Sequence, residues 1–457
     1  MVNSWDHLLY FGVVFLIVPA LIFISIALLF KHPFLLKWKK YVLPFLSLFT
    51  FFYLLKICLF IDPERKIIVL IGLLAICFAY FLHAHIKKVV VIQWILILLG
   101  LFNLSGVVVK QLNYSKSWTN PPDDIEKVVF DKTPNVYYIQ PDGYVNFSEL
   151  RKGFYQIDNR KFETFLQEEG FKNYPNFRSN YSTTLASNGS MFMMKHHYHN
   201  GNFKSNEVQF AREIIISKNT VLDVFKNNNY KTYFISEIPY LLLNRPTMGY
   251  DFCNIDYDDF KYIREGVGEP QSIFDDLEYM LAENIERPKF SFIQILKPWH
   301  IHSKKISSFG ADREKEIWKK NLEMANETLT KMIQSINEED PKGIVIIGSD
   351  HGGYVGMEYT HMAERKSLDP NFINSIFSSQ LSVKWPEGMA PEMDAKIKTS
   401  VNLFRILFSY LSNDSSYLNN LEEDDSFLII NQGAPNGVYQ CIDSEGEITF
   451  KVHNEAK

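Results

Sequence analysis

Nearly all the long apolar runs of this 457-residue chain lie before residue 110, and that asymmetry constrains the fold more than any motif does. An apolar run long enough to cross a hydrocarbon core of roughly 30 Å belongs in a bilayer, where a helix satisfies its own backbone. Residues 8–30 carry no charged side chain, and residues 41–61 form a second run, with Lys56 near its end where a long stem can snorkel. Residues 67–83 and 89–109 supply a third and a fourth, so residues 1–110 are expected to form a transmembrane region of about four spans.

The short connections orient these spans. Lys31, Lys37, Lys39 and Lys40 crowd the first loop, and Lys87 and Lys88 close the third. The segment before Leu8 has no Lys or Arg, and Asp62-Pro63-Glu64-Arg65-Lys66 balances its charges. The first and third loops are therefore expected in the cytoplasm, and everything after residue 109 on the extracytoplasmic side of the cell membrane. A cleaved signal peptide does not fit the first run, which is too long and lacks both a basic start and a small-residue cleavage site.

Past residue 110 the composition turns polar, and Asn120-Pro121-Pro122-Asp123-Asp124 marks a linker over residues 111–134. The remainder, residues 135–457, alternates strand and helix patterns. Strands are expected at 135–140, 230–236, 289–296 and 343–348, and helices at 158–170, 220–228, 271–286, 312–337 and 400–411. That order predicts a mostly parallel sheet with helices on both faces, followed by a small β subdomain over 426–452 with a hairpin turn at Ser444-Glu445-Gly446. Net charge is −5 and no basic stripe appears, which excludes a nucleic-acid partner. Cys253 and Cys441 are either free or a single bridge, and the four cysteines form neither a disulfide framework nor a CxxC site.

The chemistry-bearing residues gather at strand ends. The β-branched run Gly343-Ile344-Val345-Ile346-Ile347-Gly348 reads as a strand buried on both faces and ends in Ser349-Asp350-His351-Gly352-Gly353. Asp142 follows the first strand in the same way, and Lys297-Pro298-Trp299-His300-Ile301-His302 follows another. Ligands of open α/β sheets bind beyond the carboxyl ends of the strands, where an Asp/His pair can hold a metal. In Asn180-Tyr181-Ser182-Thr183-Thr184-Leu185-Ala186-Ser187-Asn188 a hydroxyl-rich turn leads into an apolar run. Such a Thr is either an N-cap or a nucleophile at the positive end of a helix.

These four segments, in this order and spacing, resemble the sulfatase-like branch of the alkaline phosphatase superfamily, over residues 133 to 412. The layout is similar to that of its membrane-anchored members, such as lipoteichoic acid synthases and phosphoethanolamine transferases. The stretch Lys398-Thr399-Ser400-Val401-Asn402-Leu403-Phe404-Arg405 resembles the part of that family after its Asp-His motif. The resemblance implies an alkaline-phosphatase-like catalytic domain in which Asp142, Thr184, Asp350 and His351 hold one divalent ion. Two carboxylates, an imidazole and an alkoxide suit Mn²⁺ or Zn²⁺, with Mg²⁺ or Ca²⁺ also compatible. Thr184 is implied to be both ligand and nucleophile, and either His300 or His302 to meet the substrate or the leaving group. Ser187, Asn188 and Lys297 are expected to bind substrate.

Two departures shape the functional expectation. The Cys/Ser-x-Pro-x-Arg motif of formylglycine sulfatases is missing, since Ala186 and Asn188 stand where its Pro and Arg would be. The family's His-x-Pro pattern is altered to Trp299-His300-Ile301-His302. Thr183 and Ser187 are near enough in sequence to be alternative nucleophiles, and His196-His197-Tyr198-His199 is read as a solvated or substrate-side loop. The expectation is a membrane enzyme that transfers a phospho-substituent, of phosphoethanolamine or phosphoglycerol type, from a lipid donor to an envelope glycan or lipid. A sulfatase-like or phosphodiester hydrolase using water, and a non-catalytic glycan-binding relative, are the alternatives. Retention of four ligand-type residues argues against the last.

Overall fold

The computed structural model describes residues 5–59, 65–201, 208–259 and 268–453. The chain divides into two compact units, Asn3–Tyr114 and Ser115–Lys457.

In the first unit, α1 (Trp5–Gly12) runs through a π turn into α2 (Val18–Leu29), and α3 (Lys39–Leu59), α4 (Arg65–Leu82) and α5 (Ile86–Leu112) follow. Among the described residues, three helical stretches are long and apolar enough to cross a membrane: Leu8–Leu29, Leu36–Ile57 and the 42-residue Arg65–Gly106. The third is interrupted by a 3-10 turn at His83–His85. Tyr41 at the start of α3 stacks on Tyr80 near the end of α4, with ring centroids 5.9 Å apart, so these helices are antiparallel. Ser47 Oγ of α3 donates to Gln93 Oε1 of α5 at 3.0 Å. A straight continuation of α4 would carry Gln93 away from Ser47, so this bond requires the chain to turn back at His83–His85. The third and fourth expected runs are therefore separate helices inside one apolar stretch. Ile61, the expected end of the second run, and residues 62–64 lie outside the described residues.

The second unit opens with β1 (Val136–Pro141), α6 (Phe147–Leu150), α7 (Arg160–Glu168), β2 (Phe171–Asn173), α8 (Thr184–Met193), α9 (Ala211–Ile216) and α10 (Thr220–Asn227). It continues through β3 (Lys231–Ser236), β4 (Phe252–Cys253), α11 (Phe274–Ala282), β5 (Lys289–Ile295), the 29-residue α12 (Ala311–Glu339) and β6 (Ile344–Gly348). Then come α13 (Pro370–Phe377), β7 (Leu381–Lys384), α14 (Leu403–Ser412), and β8 (Ser426–Ile430), β9 (Gly437–Ile442) and β10 (Ile448–Val452). Seven strands form one sheet in the order β2-β7-β6-β1-β5-β3-β4. β6, β1, β5, β3 and β4 are parallel, while β7 runs antiparallel to both β6 and β2. β8, β9 and β10 make the small antiparallel sheet expected at the end of the chain.

Alternation along β1 shows why its sequence is continuously apolar. Val136 and Tyr138 enter one core and Tyr137 and Ile139 the other, so both faces are covered. α12 seals one face with Trp318, Leu322, Ala325, Leu329, Met332 and Ile336, a helical stripe at three- and four-residue spacing. On the other face Phe192 of α8, Phe225 of α10 and Phe404 of α14 pack around Phe290 and Phe292.

Two differences from the sequence expectation concern this unit. The stretch read as a linker sends Ile125, Val128 and Phe130 into the core, and Asp123 pairs with the buried Arg405 at 2.7 Å. Cys253 and Cys441 are both free thiols, so the possible bridge is not formed.

Candidate metal centre

Because β1, β5 and β6 are parallel and neighbouring, their carboxyl ends deliver Asp142, the Trp299–His302 loop and Asp350-His351 to one edge of the sheet. The loops there are pinned to one another. Trp299 N donates to Asp142 O at 2.8 Å, and Gly143 N donates to Asp350 Oδ1 at 3.2 Å. Gly143 sits at φ +67, and a Cβ on it would stand 2.5 Å from Trp299 O, so only glycine allows this approach. Gly353 is as tightly held, for its Cβ would lie 2.3 Å from the Trp318 indole nitrogen.

Asp142, Asp350 and His351 are buried, and one ligand atom from each lies within 4.8 Å of the others. His351 Nε2 is 3.6 Å from Asp142 Oδ1 and 3.4 Å from Asp350 Oδ2. Its Nδ1 is 2.9 Å from Gly352 O, which can only accept, so Nδ1 carries the proton and Nε2 turns its lone pair to the carboxylates. Thr184 Oγ1, in the first turn of α8, is 3.5 Å from the same Nε2.

A divalent ion fits this donor set. Asp142 Oδ1 and Asp350 Oδ2 are buried oxygens with no hydrogen-bond partner, a costly state that a cation relieves. Ligands about 2 Å from a tetrahedral ion lie roughly 3.3 Å apart, close to the separations measured from His351. Without a cation, burial first and the Asp350 carboxylate second push Asp142 well above the usual carboxylate range.

The two imidazoles after β5 are separated by their surroundings. His300 packs against His351 with ring centroids 5.9 Å apart; its Nδ1 meets Ile301 O at 2.6 Å and its Nε2 accepts from the Trp299 indole at 3.1 Å. Burial, followed by the neighbouring His351, pushes His300 down to about 4, so it is neutral at ordinary pH. His302 turns instead toward α12, where Nδ1 meets the buried Glu314 carboxylate at 2.9 Å.

The expected substrate-binding residues have other partners. Ser187 Oγ donates to Tyr181 O at 2.8 Å. Asn188 and Gln140 exchange amide hydrogen bonds at 2.9 and 3.1 Å, which ties α8 to β1 behind Thr184. The Lys297 ammonium lies 2.9 Å from Met324 Sδ. The His196–His199 segment, read as solvated, is buried at all three histidines, with His197 stacked on Tyr181 at 3.9 Å. Aromatic packing beneath α8 outweighs the polarity that suggested a surface loop.

Two residues near the centre carried no sequence signal. Tyr354, at φ +60, donates its hydroxyl to Ser182 O and brings its ring to 5.6 Å from His351. Glu314 lies within the long charged helix expected at 312–337. The Gly352-Gly353 pair was the one hint that the chain folds back here.

A membrane-helix unit followed by a mostly parallel α/β domain, with Asp, Asp and His converging beside a helix-start hydroxyl, defines the class. Scanned against known protein families the chain matches none, and no curated protein matches it by sequence. Its fold is similar to solved structures of the kinds that the motifs resemble. The zinc complex of the C-terminal periplasmic domain of EcEptC from Escherichia coli is 10% identical, with 69% of this chain and 94% of that one covered and a TM-score of 0.45. The integral membrane lipooligosaccharide phosphoethanolamine transferase A of Neisseria meningitidis is 11% identical, with 78% and 72% covered and a TM-score of 0.44. The lipoteichoic acid synthase LtaP of Listeria monocytogenes is 14% identical, with 71% and 91% covered and a TM-score of 0.44.

Proposed function

We propose that this chain is a metal-dependent membrane enzyme that transfers a phospho-substituent from a lipid donor to an envelope glycan or lipid. The observation that carries the reading is the convergence of Asp142, Asp350 and His351 within 4.8 Å, with Thr184 Oγ1 3.5 Å from His351 Nε2. Asp142, Asp350, His351 and Thr184 would hold the ion, with Zn²⁺ or Mn²⁺ best suited to the donor set. Bound there, it would lower the pKa of the Thr184 hydroxyl and offset negative charge on the transferring group.

The remaining steps belong to the protein. Thr184 Oγ1 attacks phosphorus, the ester bond to the lipid alcohol breaks, and the hydroxyl proton ends on that alcohol. An acceptor hydroxyl then attacks the Thr184 ester, and its proton returns to Thr184. Backbone N–H groups of the first turn of α8 face the phosphoryl oxygens. Neutral His300 is the imidazole beside the cluster, and with Nδ1–H on Ile301 O and Nε2 accepting from the Trp299 indole it meets the substrate's oxygens only after one of those bonds is exchanged, while Asn188 acts through Gln140 to hold α8 in place. The reading places α1–α5 as a multi-pass anchor with the catalytic unit on the extracytoplasmic side, near its lipid donor.

The test is metal content and turnover of a model lipid phosphodiester by the purified full chain. The wild type should hold a stoichiometric divalent ion and cleave the diester. Thr184→Ala should lose roughly three orders of magnitude in rate or more. A Thr184→Ala enzyme as fast as wild type would remove the nucleophile assignment, and a chain that binds no ion would remove the whole reading.

A further inference from the structure

We propose that residues 299–309 form a membrane-docking loop that rests the catalytic edge of the sheet on an anionic lipid surface. Nine large apolar side chains are exposed in the α/β unit among the described residues, and four of them, Trp299, Ile306, Phe309 and Met324, belong to this loop and the facing turn of α12. Ile306 is 95% exposed, Phe309 66% and Trp299 43%. Scattered apolar side chains are normal on a surface, whereas a cluster marks a contact.

The exposure is built into the loop. Ser307 N and Oγ both donate to Lys304 O at 3.0 Å, Phe309 N donates to Glu314 Oε1 at 2.9 Å, and Ser308 Oγ donates to Glu358 O. Thr360 N donates to His302 O at 3.0 Å on the other flank. This scaffold holds Ile306 outward at the tip, with Lys304 and Lys305 beside it, both exposed and neither in an ion pair among the described residues. Apolar residues at a tip with lysines beside them match a bilayer interface, where the side chains enter the acyl boundary and the ammoniums meet anionic head groups. The chain supplies the bilayer itself, since α5 ends at Leu112 and the α/β unit begins at Ser115.

Docking here serves the proposed transfer, and rests on that reading for its purpose. Trp299 is hydrogen-bonded to Asp142, and His300 packs on His351, so a surface met by the loop adjoins the metal centre. A cavity of about 360 Å³ lies between loop and helix, lined by His300, His302 and Ser307 on one side and Ile317, Trp318 and Asn321 on the other. It is large enough for a lipid head group.

The experiment uses the full chain in proteoliposomes of equal parts phosphatidylglycerol and phosphatidylcholine, with and without bromine on the acyl chains. Emission of wild type minus that of Trp299→Phe isolates Trp299. Bromine should quench that difference signal, and the quenching should be lost in Ile306→Asp/Phe309→Asp and in Lys304→Glu/Lys305→Glu, two variants altered by different chemistry in case one misfolds. A Trp299 signal equally bright over brominated and plain lipid would overturn the proposal, as would quenching unchanged in both variants. No turnover is measured, so this outcome is independent of whether the chain transfers a phospho-substituent.

Discussion

At the scale of single residues, the centre is a place where stability is given up for ion binding. The unpartnered oxygens of Asp142 and Asp350 face each other across a buried gap, and Asp142 is pushed upward by burial and then by Asp350. With a folded value above the unfolded one, the protonated carboxyl favours the fold at low pH. That contribution is lost as pH rises from the unfolded value, near 4, toward the folded one. In a chelator at neutral pH, Asp142→Asn should therefore stabilise the protein by ~1 to 3 kcal/mol, read by thermal unfolding. The same variant should lose the rise in melting temperature that a divalent ion gives wild type. A chelated variant no more stable than wild type would mean the buried pair carries no such cost. His300 behaves oppositely, because its folded value is pushed down to about 4 from an ordinary 6.5. The unfolded chain binds the extra proton in between, so stability should fall as pH drops through that window, and His300→Gln should flatten the slope in urea titrations.

At the scale of elements, what the sequence disclosed follows from how much signal each element needed. β1, β5 and β6 are buried on both faces and therefore apolar throughout, and their ends carry the Asp and His residues that could be read directly. β7 and β2 are short antiparallel additions, the first alternating apolar and polar over four residues and the second only Phe-Lys-Asn, and neither they nor α13 stood out from the surrounding loop. Which histidine adjoins the centre was equally hidden, for it depends on Glu314 drawing His302 toward α12. Asn188 was read as a substrate contact and instead bonds Gln140, because α8 enters directly over β1. Asn188→Leu would leave the side-chain amide nitrogen and oxygen of buried Gln140 unpaired, at a cost of about 1 to 3 kcal/mol in denaturant unfolding. Adding Gln140→Leu should recover much of that loss, since removing both partners costs less than orphaning one. Equal or additive losses in the double variant would show that the pair is not what fastens α8.

For the whole molecule, the question is which face of the membrane the α/β unit occupies, and the loop charges supply the argument. Each Lys or Arg left on the wrong side works against the bias that retains basic loops in the cytoplasm. Lys31 and Lys37 lie between α2 and α3, Lys39 and Lys40 begin α3, and Lys87 and Lys88 lie in the first turn of α5 just past the His83–His85 turn. The turn-back required by the Ser47–Gln93 bond puts those two lysine groups on the same side, because α3 and α5 both start from it. α5 then ends at the opposite side, with Ser115 and the α/β unit following. Protease added outside intact cells stripped of any outer barrier should therefore remove the α/β unit, while a tag in the Lys31–Lys40 loop stays protected until the membrane is opened. Replacing those four lysines with Gln should lower the fraction of chains whose α/β unit is cleaved, by weakening the charge bias on α2 and α3. A tag cleaved from outside in intact cells would reverse the topology and separate the metal centre from extracytoplasmic acceptors.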